Sequence, residues 1–106
     1  MAKENLIRKK AIEILTKERW ATWYPAKVKF KQNDIFGAFD IICCKKGAGN
    51  LKFIQLTTAS NLATRRKKIQ SFFKKNKINP TKNVFKAEIE IWAWLEKKKK
   101  FKTEVV

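Results

Sequence analysis

Asp40 is the residue whose setting asks for a chemical explanation. It stands inside Phe36-Gly37-Ala38-Phe39-Asp40-Ile41-Ile42-Cys43-Cys44, a run with no other charge. An ionised carboxylate is costly there without a counter-charge or a metal ion. The run Leu51 to Thr58 carries a corresponding polar intruder, Gln55. A hairpin loop symmetric about Gly47-Ala48 would set Asp40 opposite Gln55, and strand alternation then puts Thr57 on the face of Gln55. Three oxygen-bearing side chains converge in that arrangement, a donor set suited to Mg²⁺ (or Mn²⁺) rather than zinc. The plain alternative is a satisfied Asp–Gln hydrogen bond at a sheet edge. The 106 residues contain no histidine, which removes Ser-His-Asp and Cys-His catalysis and nearly every usual zinc site. Cys43 and Cys44 are adjacent, so in a strand they point to opposite faces and neither chelate one metal nor pair with each other. They read as reduced strand residues.

These residues need elements to hold them. From Glu4 to about Glu18 the chain reads as a helix, with Ile7, Ala11, Ile14 and Leu15 at helical spacing and no Gly or Pro. On a helical wheel Glu4 lies on the side of Ile7 and Ala11, which keeps it as a candidate site carboxylate, whereas Glu13 points away. Thr22 to Lys31 reads as a half-buried strand with Lys27, Lys29 and Lys31 on its outer face. Asn33-Asp34 marks a turn or bulge before the second strand, Phe36 to Cys44, and Leu51 to Thr58 is the third. Ser60-Asn61 is expected to cap a basic helix running to about Lys77, with Ile69, Phe72 and Phe73 as its apolar side. Asn79-Pro80 breaks the chain. Val84 to Leu95 alternates again, with Phe85, Ala87, Ile89, Ile91 and Ala93 inward and Glu88, Glu90, Trp92 and Trp94 outward. Residues 97–106 are expected to form a basic tail on a single domain spanning 1–106.

The resulting order is αβββαβ. With Asp on the second strand and a polar-x-polar pair on the third, it resembles the PD-(D/E)XK nuclease superfamily, which includes Holliday-junction resolvases and many restriction enzymes. More narrowly, Asp34-Ile35-Phe36-Gly37-Ala38-Phe39-Asp40, Gln55-Leu56-Thr57-Thr58, Asn61, Arg65, Lys68-Ile69 and Glu90-Ile91-Trp92-Ala93-Trp94 are similar to small phage- and plasmid-associated proteins of that superfamily. The resemblance implies a restriction-endonuclease-like α/β core with a mixed sheet. It also implies that Asp40 and the third-strand residue bind Mg²⁺ while a lysine two positions on polarises the attacking water. Here Gln55 replaces the acid and Thr57 the lysine. The missing cation would come from the following helix, through Arg65 or Lys68, since Lys52 has the wrong strand parity. Glu4 would match the first-helix carboxylate of the superfamily, and Asp34 an extra metal ligand. The activity implied is metal-assisted hydrolysis of a DNA phosphodiester. The alternative is a nuclease-fold protein that binds DNA without cutting it.

Charge points to the same class of partner. A formal charge of +17, from 26 Lys+Arg against 9 Asp+Glu, makes a polyanion the default ligand of a small domain. The 44% hydrophobic content, with four Trp and eight Phe, supplies a real core and argues against disorder. Lys27, Lys29 and Lys31 on a strand, and Arg65, Arg66, Lys67 and Lys68 on a helix, are set to follow a phosphate backbone of duplex or branched DNA. An RNA-binding role is permitted by charge alone, but it does not explain Asp40 facing Gln55. Trp92 and Trp94 on one strand face would be stacking platforms, a dimer seam or rings packed under a helix. Trp20 and Trp23 are expected in the core or at its rim. A resolvase-like enzyme needs two sites on two strands, hence a homodimer. No apolar run has the length of a membrane span, and Met1-Ala2-Lys3-Glu4 is not a secretory leader, so a soluble, cytoplasmic protein is expected.

Overall fold

The eight residues Leu51–Thr58 are rich in apolar and β-branched side chains without Gly or Pro, and they form the middle strand of a five-stranded mixed sheet. A computed structural model describes residues 2–24, 27–28, 31–32, 35, 39–47, 51–77 and 87–106, with the backbone alone for 2–5, 27–28, 31–32 and 87. Helix α1 (Ala2–Lys17) leads into β1 (Ala21–Trp23). The short strands β2 (Lys27–Val28) and β3 (Lys31–Gln32) pair with each other in a separate two-stranded sheet. There follow β4 (Ile41–Cys44), β5 (Leu51–Thr58), a 3-10 turn over Ala59–Asn61, α2 (Leu62–Lys75), β6 (Ala87–Leu95) and β7 (Lys100–Val105). The sheet order is β1-β4-β5-β6-β7, antiparallel throughout except for the parallel pair β5–β6. A parallel pair needs a crossover, and α2 supplies it.

Both sheet faces are covered. Ala11 and Leu15 of α1 pack with Ile41, Cys43, Ile54 and Trp92, while Ile69 and Phe73 of α2 pack with Phe39, Phe53, Ile89 and Ile91. Adjacent residues Phe53 and Ile54 thus serve opposite layers, as strand alternation requires. The end of α1 fixes the first layer. Arg19 takes a left-handed φ of 70°, and Trp20 N–H donates back to Leu15 O at 2.9 Å. This reversal returns Trp20 onto Leu15 in the core, the usual hydrophobic contact of such a cap. The expected α1 stripe holds for Ile7, Ala11 and Leu15, but Ile14 is exposed because it lies at the edge of the arc centred on Ala11.

Several expected elements differ. The expected strand Thr22 to Lys31 is instead divided between β1 and the separate β2–β3 pair, with Lys27 on β2 and Lys31 on β3. The second strand begins at Ile41 rather than Phe36, and Phe39 is held in an isolated bridge with Ile35. Residues 97–106 are not a tail. Lys97 to Lys99 lie in the turn of a hairpin, with Lys99 N–H on Leu95 O at 2.8 Å, and β7 follows as an edge strand. Phe101 anchors it against Trp92 and Trp94 at ring separations of 5.4 and 5.0 Å. Ser60 belongs to the 3-10 turn, and Asn61 caps α2 by position without a side-chain hydrogen bond to it. No helix among the described residues is long and apolar enough to cross a membrane.

Candidate functional site

The β4–β5 hairpin has the register that sets Asp40 opposite Gln55: Ile41 faces Ile54, Ile42 faces Phe53 and Cys43 faces Lys52. Asp40 N–H donates to Ile54 O at 2.8 Å, which fixes the aspartate at the entrance to β4. Gln55 Nε2 donates to Asp40 Oδ2 at 2.7 Å, and Leu56 N–H donates to the same oxygen at 2.7 Å. Gln55 Nε2 also donates to Leu56 O at 2.9 Å. The amide nitrogen, not its oxygen, therefore faces the carboxylate. Gln55 is 4% exposed, and its Oε1 is buried with no hydrogen-bond partner among the described residues. A buried acceptor left in that state costs about 1–3 kcal/mol, which makes it the unfinished feature of the site.

Thr57 is buried two residues on, opposite Ala93 of β6. The α2 layer closes over this face through Ile69 and Phe73, and the Phe39 ring lies 5.2 Å from that of Phe53. Arg65 and Lys68 are half-buried on α2, and Lys67 is exposed. Arg66, expected to follow a phosphate backbone, is paired with a carboxylate of the protein itself. Its Nη2 donates to Glu104 Oε1 at 2.7 Å and its Nε to Glu104 Oε2, a two-pronged clamp joining α2 to edge strand β7. The hydrogen bonds from Arg66 hold the Glu104 carboxyl below its usual range, and Glu104 in turn raises the Arg66 guanidinium.

Trp92 and Trp94 are each 5% exposed and serve neither as stacking platforms nor as a dimer seam. Their outward parity is real, but β6 lies between β5 and β7 and its second face is covered as well. Trp92 Nε1 donates to Glu90 at 2.9 Å and Trp94 Nε1 to Glu96 at 2.7 Å. Glu90 also pairs with Lys52 at 3.3 Å, and Lys52 lies 4.5 Å over the Trp20 ring. Lys52 is thus on the face away from Gln55, as its parity requires. Trp20 is core, whereas Trp23 is 59% exposed and not part of it. Cys43 is buried and Cys44 exposed; burial pushes the Cys43 thiol up to about 11.

The chain matches no family model, curated protein or solved structure. Function therefore rests on the site itself. The structure joins Asp40 and Gln55 by a hydrogen bond and sets Thr57 on the same strand as Gln55, two residues further on. Helix α1 packs on the other sheet face, and the Glu4 side chain lies outside the described residues. Asp34 and Lys29 lie outside the described residues, as do the side chains of Lys27 and Lys31. Among the described residues no group of three or more His, Cys, Asp or Glu gathers to hold a metal. Sequence reasoning missed the Arg66–Glu104 clamp, whose signal was the single carboxylate of the segment after Lys100.

Proposed function

We propose that this protein is a DNA endonuclease of the PD-(D/E)XK type that works with Mg²⁺ or Mn²⁺. Its αβββαβ core would be α1, β1, β4, β5, α2 and β6. The observation that supports this reading is Gln55 Oε1, a buried acceptor without a donor beside an aspartate. A hard divalent cation fits an amide oxygen next to a carboxylate. When bound, such an ion would lower the pKa of an attacking water and offset charge on the phosphodiester. Asp40 and Gln55 would hold it, and Leu56 N–H orients the carboxylate. Thr57 brings no positive charge, so the cation facing the scissile phosphate would be Lys68 or Arg65 of α2. The charge of +17 would bring the DNA, through Arg65, Lys67 and Lys68 with Lys27, Lys29 and Lys31.

A second reading, a DNA-binding protein without cleavage, is favoured by the direction of the Gln55 amide, whose nitrogen already satisfies Asp40. One experiment separates the two. Duplex, flap and four-way-junction DNA are incubated with the protein in Mg²⁺, Mn²⁺ or EDTA. The nuclease reading expects metal-dependent cuts that Asp40→Asn abolishes while binding is kept. Salt-sensitive binding with no cleavage under any metal leaves the second reading. Wild type without affinity for DNA would sink both.

A further inference from the structure

We infer that the cleft between the outer side of α1 and Tyr24 seats an unpaired nucleotide of a DNA strand, on the side of the sheet away from Asp40. The inference rests on the DNA-binding reading and adds a second contact surface to it. The cleft has a volume of about 780 Å³, and Arg8, Lys9, Lys17, Glu13, Ile12 and Tyr24 are among its lining residues. Three cations against one carboxylate make it a phosphate-attracting place on a chain already strongly basic. Its aromatic wall is open: Tyr24 is 42% exposed, and Trp23 beside it projects from the edge strand β1. The Arg8 guanidinium carbon lies 4.9 Å from the centroid of the Tyr24 ring. An arginine stacked on a tyrosine is a flat, polarisable platform that a nucleobase can extend by stacking, while the lysines take the adjoining phosphates.

A duplex keeps its base faces inside its own stack, so this platform adds affinity only for a base that is out of the stack. The surface thus discriminates by strandedness and not by sequence. It would hold a displaced or single strand while the basic α2 side meets the rest of the DNA.

Fluorescence anisotropy with a labelled oligo(dT) of about ten nucleotides, beside a duplex of the same length, tests this. Tyr24→Ala is expected to weaken oligo(dT) binding about tenfold, in keeping with the loss of one stacked base, and to leave duplex binding unchanged. Tyr24→Phe should bind both as wild type does. Lys9→Gln with Lys17→Gln should weaken oligo(dT) binding and flatten its salt dependence. Tyr24 is half-exposed, and an unchanged thermal midpoint verifies that the variants fold. The inference is overturned if folded Tyr24→Ala binds oligo(dT) as tightly as wild type, or loses both DNAs equally. It is also overturned if light scattering shows that Tyr24→Ala converts a dimer to a monomer, since a second copy would then fill the cleft. Wild type that binds duplex with the expected salt dependence, alongside an unaffected Tyr24→Ala, sinks this inference alone. Wild type that binds no DNA sinks the DNA reading with it.

Discussion

On the α1 face of the sheet, Lys52 reaches Glu90 at 3.3 Å and lies over the Trp20 ring, and Glu90 also accepts from Trp92. On the α2 face, Asp40 Oδ2 accepts from Gln55 and Leu56, and the Gln55 oxygen is left with no donor among the described residues. Both sites share β5, the first with its neighbour β6 and the second with the entrance to β4. The first closes on itself: cation, carboxylate, indole N–H and aromatic face each meet a complement. The second holds its aspartate in place but leaves an acceptor open. A closed network of this kind contributes to stability and specificity, whereas an open buried acceptor is a place where a ligand gains what the fold gives up.

The largest expected effect breaks the closed site. Glu90→Ala leaves Lys52, 13% exposed, with Glu88 at 4.0 Å as its nearest carboxylate. Losing the charged partner of a part-buried pair costs about 1.5–3 kcal/mol, which urea denaturation would register. A loss well below that range would mean that Lys52 escapes to water and that the two faces are less different than they look.

Gln55→Glu sharpens the comparison from the other side. It sets a second carboxylate where an amide nitrogen now donates to Asp40 Oδ2. Like charges that close should cost about 1–3 kcal/mol in EDTA, with recovery in millimolar Mg²⁺ if a cation can sit between them. Thermal melts with and without Mg²⁺ measure it, and a variant indifferent to the metal argues against a cation site.

The hairpin's two thiols give a smaller and differently signed effect. A thiol reagent should modify Cys44 alone in the native protein and both cysteines in denaturant. The Cys43 thiol is pushed up from 9.0 to about 11 in the folded state. Folding therefore favours its neutral form, and stability should fall as pH rises from 9.0 towards 11, where the unfolded thiol ionises first. An alkaline limb that Cys43→Ala leaves unchanged would refute the assignment.

The smallest effect belongs to the surface clamp. Glu104 is held below its ordinary 4.5, so its contribution is present above that pH and is lost as pH falls through the lowered value. Glu104→Gln should flatten the acid limb slightly. It should also release Arg66, tightening DNA binding a little at low salt. Acid denaturation and anisotropy measure the two halves.

The hairpin was legible in the sequence because two polar intruders in apolar runs and a glycine in the loop leave a single register that pairs them. Gly47, with φ of 89°, supplies the backbone conformation that the turn requires. Strand β5 and helix α2 were legible for the same reason, an uninterrupted period. Strand β7 was not, because Lys97 to Lys100 reads as solvated charge and only Phe101 carries an apolar anchor. Trp92 packs with Ala11 and Leu15 of α1, one of the fates the sequence left open, and Phe101 of the missed strand packs against both Trp92 and Trp94. At the site, the meeting of Asp40 and Gln55 followed from the hairpin register. The direction of the Gln55 amide did not, since it is set by Leu56 O and Leu56 N–H, backbone groups whose positions exist only in the folded sheet.

The parallel pairing of β5 with β6 bears on the order in which the molecule assembles. Strand β5 has its antiparallel neighbour β4 just before it in the chain, so that hairpin can form early. Its other edge waits for Ala87–Leu95, which comes only after the whole of α2. During synthesis the apolar edge of Leu51–Thr58 therefore stands unpaired while the ribosome makes the next thirty or so residues (roughly two to six seconds at typical rates). Non-local parallel pairing of this kind is slow and exposes a template for other chains. The lysines crowded into α2 place like charge beside that edge during the interval, so the composition that attracts a polyanion in the finished protein also keeps nascent copies apart.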